Sequence, residues 1–366
     1  MGTFVETVGP TQPGRSPLGR VAAAWRDRPA ELFYAAGTAA TALYFVLPLA
    51  AQAVLYVAIG LAATAAVVVG AHRNLCRGRL PWLMFAAGLG LQAVGDALFN
   101  YYDVVLHTDP FPSVADAAYL GGYPLLIGGI VLLVRRLGTF ESRAGLIEAA
   151  IVTVAFALVQ WLFLITPVAH TAGGSRLETS ILVAYPSMDV LLVAGLAAFF
   201  VTPTWRLASY RCLVLSIVLM LVADEVFGLA ADSYSLGSWP DAFWLISYVA
   251  WGAAALHPSM AGIGTPVRRE PQLTWDRISL LAAALLTAPA LLVLAPEAAR
   301  SHAQALAVGG ALLSMLPLTR LVGLVRRIES LRAAERHART QADDAWQLLQ
   351  QLGAERTAAG IPADAG

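Results

Sequence analysis

Apolar residues run in long blocks along this chain, each closed by a short stretch of polar, proline or arginine residues. A helix needs about 20 mostly apolar residues to cross the hydrocarbon core of a bilayer. Blocks that meet this requirement fall at 32–50, 53–71, 81–101, 116–134, 146–167, 180–201, 209–230, 241–257, 277–295 and 303–324. The first two nearly fuse, with Pro48 and Gln52 at the turn. The pattern predicts an all-α fold, a polytopic membrane bundle of about ten transmembrane helices.

Past the last block the spacing changes. Leu321, Leu324, Ile328, Leu331, Glu335, Ala338, Ala342, Ala345, Leu349 and Leu352 occupy successive a and d positions of a heptad. A seam of this length predicts a coiled coil, weakened in its middle by Glu335 and the alanines. Four regions follow: an N-terminal segment 1–31, a membrane domain 32–324, a signalling helix 325–352 and a tail 353–366 expected to lack order. The first apolar block begins too far from Met1 for a cleavable signal peptide.

Composition agrees with a lipid solvent. Of 366 residues, 58% are hydrophobic and 13% charged, against roughly half apolar and a quarter charged in soluble domains. Mean hydropathy is +0.66. Formal net charge is zero, which gives no sign of nucleic-acid binding. All 24 basic residues are Arg, so Schiff-base, P-loop and Ser–Lys chemistry is excluded. Arg is also unevenly placed. One set of connections holds Arg15 to Arg28, Arg73 to Arg79, Arg135 to Arg143, Arg206, Arg211, Arg268, Arg269, Arg277 and everything from Arg320 on. The other set holds only Arg176 and Arg300. Cytoplasmic loops are enriched in basic residues, so both termini are expected in the cytoplasm of a multi-pass plasma-membrane protein. Cys76 and Cys212 then lie near that face, where a disulfide is not expected.

The blocks repeat. Asp116, Ala117, Leu120 and Tyr123 recur 125 residues later as Asp241, Ala242, Leu245 and Tyr248. Ala184-Tyr185-Pro186 matches Gly122-Tyr123-Pro124 at a spacing of 62. Gly95-Asp96-x-x-Phe99 echoes Ala223-Asp224-x-x-Phe227. The unit is a two-helix hairpin with an acidic residue late in the outgoing helix and a Tyr early in the returning one. The middle unit has Gln160 in place of the acid and carries Asp189 on its returning helix.

A charge at membrane depth costs at least about 2.5 kcal/mol on insertion scales, so such residues usually face a cavity or a partner. Asp96, Asp189, Asp224 and Glu225 lie inside apolar blocks. At 1.5 Å per residue, Asp96 and Asp224 lie roughly 20 Å above the cytoplasmic face and Asp189 about 13 Å below the outer one, which brings all three to a similar level. With Tyr123, Gln160, Tyr185 and Tyr248 they are expected to line a ligand-binding cavity open to the exterior. The alternative is hydrogen bonding between helices that only holds the bundle together. Asp103, Asp116, Trp239 and Asp241 are expected in outer loops, as an interfacial belt or a lid. His107, His170 and His302 lack the tight spacing of a metal motif, so no metal or other cofactor is expected. Gly88, Gly90, Gly128 and Gly129 are read as points of close helix approach.

The run from Gly95-Asp96-Ala97-Leu98-Phe99 through Pro110-Phe111-Pro112-Ser113-Val114-Ala115-Asp116 to Gly122-Tyr123-Pro124 resembles the membrane sensor region of actinobacterial cyclic di-GMP signalling proteins. Ala184-Tyr185-Pro186 with Asp189, Ala223-Asp224 and the segment from Gly237 to Met260 carry the same resemblance, which spans 32–352. In that family the region precedes GGDEF, EAL or kinase domains. These residues contain none of the three, so the resemblance implies a sensor and its output helix rather than an enzyme. The expected function is a signal-transduction module. It senses an extracytoplasmic or membrane-borne cue and relays it through a dimeric helix, 321–352, to a cytoplasmic partner. The alternative is a secondary transporter or ion pathway that uses the intramembrane acids. A lipid-modifying enzyme is disfavoured, because no nucleophile–base constellation is visible.

Overall fold

The computed structural model describes residues 28–75, 78–137, 143–171, 175–200, 206–230, 233–263 and 275–358. They form an all-helical bundle with no strand among them. The helices are α1 Pro29–Tyr44, α2 Leu49–Asn74, α3 Leu80–Asn100, α4 Val114–Arg136, α5 Arg143–Gln160, α6 Arg176–Phe200, α7 Ala208–Ala230, α8 Asp241–Leu256, α9 Trp275–Leu294 and α10 Ala303–Ala358. Each predicted span overlaps one of them. Eight are long and apolar enough to cross a membrane. The other two, α1 and α8, have 16 residues each. Two outgoing helices change pitch at their ends: α3 continues as a π-helix over Tyr101–Leu106, and α5 as one over Trp161–Ile165.

Residues Met1–Gly310 form one compact unit. Its centre is α8, which packs against α1, α2 and α7. Every residue from Ser247 to Leu256 on it is buried. A helix enclosed all round must be apolar all round, which is why its sequence reads as an uninterrupted block. Helix α3 packs on α4 and α2, α4 on α6, α6 on α5, and α5 on α9. Trp82, Phe85 and Trp251 fill the space between α3 and α8, with the Phe85 and Trp251 rings 4.7 Å apart.

Helices α3 and α4 touch through their backbones. A methyl group on Gly88 would lie 3.1 Å from the carbonyl oxygen of Gly122, and one on Gly122 would lie 3.0 Å from that of Gly88. In lipid such closeness replaces the hydrophobic drive that water would supply, since the alternative to packing is contact with equally apolar chains. Gly128 and Gly129 admit Met84 and Phe85 in the same way, whereas the nearest atom at Gly90 is 3.6 Å away.

Arg277, counted above among the loop arginines, is buried in an ion pair with Glu148 that joins α9 to α5. Cys212 is half-buried and free; Cys76 lies outside the described residues.

Residues Ala311–Gly366 form a second unit. Here α10 carries Leu321, Leu324, Ile328, Leu331 and Leu349 at exposed positions. Its helix runs to Ala358, past the predicted end at 352. The residues after Gly353 are Ala, Glu, Arg, Thr and Ala, and most of these have high helix propensity.

The glycine contacts generate a contrast. Gly→Ala in a helix interior is intrinsically favourable by about 1 kcal/mol, so Gly90→Ala should hold or raise the thermal midpoint in detergent. Gly122→Ala should lower it, because overpacking costs roughly 1–3 kcal/mol. Equal midpoints for the two variants would refute backbone contact at the α3–α4 crossing.

Candidate functional site at the repeat interface

The predicted acids and phenols form a lattice of hydrogen bonds between helices. Asp96 follows Gly95 on α3. A methyl group on Gly95 would come 2.6 Å from the Tyr119 ring, so glycine here makes room for that ring. The Tyr119 hydroxyl donates to Asp96 Oδ1 at 3.0 Å, and the Tyr248 hydroxyl donates to Asp96 Oδ2 at 2.6 Å. Asp224 on α7 is served the same way. Trp244 Nε1 donates to its Oδ1 at 2.8 Å and the Tyr123 hydroxyl to its Oδ2 at 3.0 Å.

The two arrangements are related by the repeat. Tyr119 and Trp244 are 125 positions apart, as are Tyr123 and Tyr248. Each Asp takes one donor from the returning helix of its own hairpin and one from the returning helix of the other. Hairpins α3–α4 and α7–α8 therefore exchange reciprocal bonds. A carboxylate without water needs such donors, since an unpaired buried polar group costs several kcal/mol.

The second repeated acid opens each returning helix. Asp116 closes a capping box, accepting from the Ser113 backbone N–H at 2.7 Å, and also accepts from the Tyr185 hydroxyl of α6 at 2.9 Å. Asp241 is fully buried. It accepts from the Gly237 backbone N–H at 2.7 Å, the Tyr44 hydroxyl at 2.5 Å and the Tyr234 hydroxyl at 2.7 Å. Short O–H to carboxylate distances are those of charge-assisted bonds. A carboxylate at a helix N-terminus also meets the positive end of the helix dipole. Burial, with the Asp241 carboxylate beside it, raises the Tyr234 phenol above its ordinary range and keeps it a donor. Ring contacts join the clusters. Tyr234 meets Trp244 edge-on at 6.0 Å, and Tyr123 meets Tyr185 at 6.5 Å.

The middle repeat departs from this pattern. Gln160, the last residue of α5 before its π-helix, donates its amide to Glu225 Oε1. Asp189 on α6 is 4% exposed and has Asp224 and Glu225 as its charged neighbours. Tyr123 is also within hydrogen-bonding reach of it.

All eight residues expected at the cavity thus sit in the lattice, most of them buried and bonded to one another. A surface groove of about 540 Å³ borders the lattice at Asp116, between Tyr102, Pro110, Pro112 and Leu120 on one side and Leu177 and Ile181 on the other. Of the residues expected in a lid, Asp116 and Asp241 are lattice acceptors. Asp103 and Trp239 are exposed and stand apart from it. Tyr44, Tyr119 and Trp244 are donors beyond the expected residues, and Tyr234 joins them from the outer loop. The 125-residue repeat marks Tyr119 and Trp244 as a pair, while Tyr44 is 197 positions from its acceptor. Among the described residues no three metal-ligating side chains gather at one point.

Compared with known protein families, with curated proteins and with solved structures, the chain matches none.

The lattice makes the polar bonds measurable. In the cycle Tyr248→Phe, Asp96→Asn and the double variant, the coupling read from thermal unfolding should fall at about 0.6–1.7 kcal/mol, the range of interhelical bonds in lipid. The cycle of Tyr123→Phe with Asp224→Asn should give a similar value. Zero coupling in both cycles would mean that the phenols do not bond the carboxylates.

Proposed function

We propose that this chain is a membrane signal-transduction module. It detects an extracytoplasmic or membrane-borne cue in the ten-helix bundle and relays it through α10, with both termini in the cytoplasm. The observation that carries this reading is the exposed apolar stripe of α10. Leu321, Leu324, Ile328 and Leu331 all stand open along a helix that continues as a charged one, with Arg339 paired to Glu335 one turn before it. A heptad stripe of this kind is buried when a second copy supplies the facing knobs, so the proposed output is a dimeric helix acting on a cytoplasmic partner. The Arg asymmetry supports the orientation.

The bundle supports a relay as well. Its hairpins are joined by polar bonds that each contribute little in lipid, about 0.6 kcal/mol on average. Rearranging several such bonds is within reach of a ligand, since couplings of 1–3 kcal/mol suffice for allosteric control. The resemblance to sensor regions of cyclic di-GMP signalling proteins points the same way. The second reading, an ion or solute pathway, is favoured by the intramembrane acids and the internal repeat.

Disulfide scanning tests the proposal in native membranes, with Cys76 and Cys212 replaced by Ser. Cys at positions 324, 328, 331 and 338 should cross-link between copies. Cys at 326, 333 and 340, on the opposite face of the heptad, should not. Equal cross-linking on both faces, or none, would overturn the dimeric output helix. Proteoliposomes that pass Na⁺ or protons faster than empty vesicles would favour the pathway instead.

A further inference from the structure

We infer that Asp189, Asp224, Glu225 and Gln160 form a binding site for a small monovalent cation, a proton or sodium, held by oxygen atoms between α5, α6 and α7. This inference stands whether or not the chain signals through α10.

The internal repeat supplies the control. Asp96 and Asp224 occupy corresponding places, and each receives one donor per oxygen from corresponding helices. Around Asp96 the account closes, because two oxygens meet two donors and the next residue is Ala97. Around Asp224 the next residue is Glu225, and Asp189 and Gln160 come in from the middle hairpin. A bundle that needed only cross-links would not add two more carboxyl groups beside one already satisfied.

The count of donors against acceptors gives the ligand its character. Three carboxyl groups and one amide present seven acceptor oxygens, by the ordinary side-chain inventory. The donors facing them are Tyr123, Trp244 and the Gln160 amide. Two acceptors have no hydrogen-bond donor from the protein: Asp189 Oδ1, on a side chain 4% exposed, and Gln160 Oε1, on one 1% exposed. Both side chains belong to the group, since Asp189 faces Asp224 and Glu225 and Gln160 is bonded to Glu225. Tyr185, Tyr248 and Asp96 are the other ionisable groups acting on Asp224. None of them brings a positive charge.

Three neighbouring carboxyl groups in a low-dielectric interior cannot all carry charge without a compensating one. The missing partner must therefore be positive or a hydrogen-bond donor, and it must be small. Among the described residues no three His, Cys, Asp or Glu side chains are placed to hold a metal ion, so a proton shared between carboxyls fits the unpaired atoms more closely than a sodium ion among carboxylate and amide oxygens. Glu225 is only partly buried and stands at the rim of the group.

The test is carboxyl labelling of the full chain in detergent, in choline buffer, with dicyclohexylcarbodiimide, which attacks protonated carboxyls in apolar surroundings. Adducts are located by peptide mass spectrometry. Asp189 or Glu225 should label, and labelling should fall about tenfold per unit of rising pH once the group ionises. If sodium is the occupant, added NaCl slows labelling at fixed pH while choline chloride does not. If the proton is the occupant, pH alone acts. Asp96 serves as the internal reference for sodium, and its labelling should not respond to added NaCl. In Asp189→Asn, which replaces an acceptor by a donor and removes a charge, the response at Glu225 should be lost; Gln160→Ala serves if that variant does not fold. Labelling of Asp189 and Glu225 that ignores both pH and sodium overturns the site. Failure of the α10 cross-linking with a positive result here would remove the output helix and leave the cation site standing.

Discussion

The bundle depends on one requirement: a carboxylate placed where no water can reach it must be given its hydrogen bonds by protein. Asp96 and Asp241, both buried, meet it with donors drawn from more than one segment of the chain, and the partly buried Asp116 and Asp224 are bonded in the same way. Because those donors are mainly phenols, they bring apolar area along with the polar tip, and the rings pack into the core that their hydroxyls cross-link. Tyr123 is a case in point. It is buried in the main hydrophobic cluster and also donates across to α7. The same side chain is thus packing and polar bond at once, which is why the lattice can be threaded through an otherwise apolar bundle.

Reciprocity follows from the repeat. Two similar hairpins facing one another place equivalent groups at equivalent distances, so a bond from α8 to α3 is accompanied by one from α4 to α7. The small residues serve the same geometry. Gly95 admits the Tyr119 ring, and Gly88 with Gly122 brings α3 against α4. Neither feature carries chemistry alone, but each sets where a donor can stand.

Much of this was legible in the sequence, and for a physical reason. Apolar blocks near 20 residues mark helices directly, because lipid demands both length and continuity. The acids stood out because few residues inside such blocks are charged. What could not be read was pairing. The match of Tyr123 to Asp224 rather than to Asp96 in its own hairpin depends on how hairpins face each other, and no local period encodes that. Expecting the acids to line an open cavity followed from their depth alone; the phenols that cover them come from helices far away in the chain, as Tyr44 does for Asp241. Arg277 shows the converse. Counted by position it is a loop charge, but Glu148 draws it into the bundle.

Symmetry also separates what holds the fold from what goes beyond holding it. Were every acid in the lattice structural, the two halves of the exchange would differ only in their apolar surroundings. They differ in charge. At Asp96 the repeat is complete and neutral residues follow. At Asp224 a second acid sits next in sequence, a third arrives from α6, and an amide closes the group from the end of α5. Packing has no use for that surplus, since each added carboxyl brings acceptors that this neighbourhood lacks the donors to satisfy. Buried polar groups left in this condition cost stability, and a fold keeps such a cost where something else completes the set. The broken repeat, rather than the repeated frame around it, is where this bundle departs from mere support.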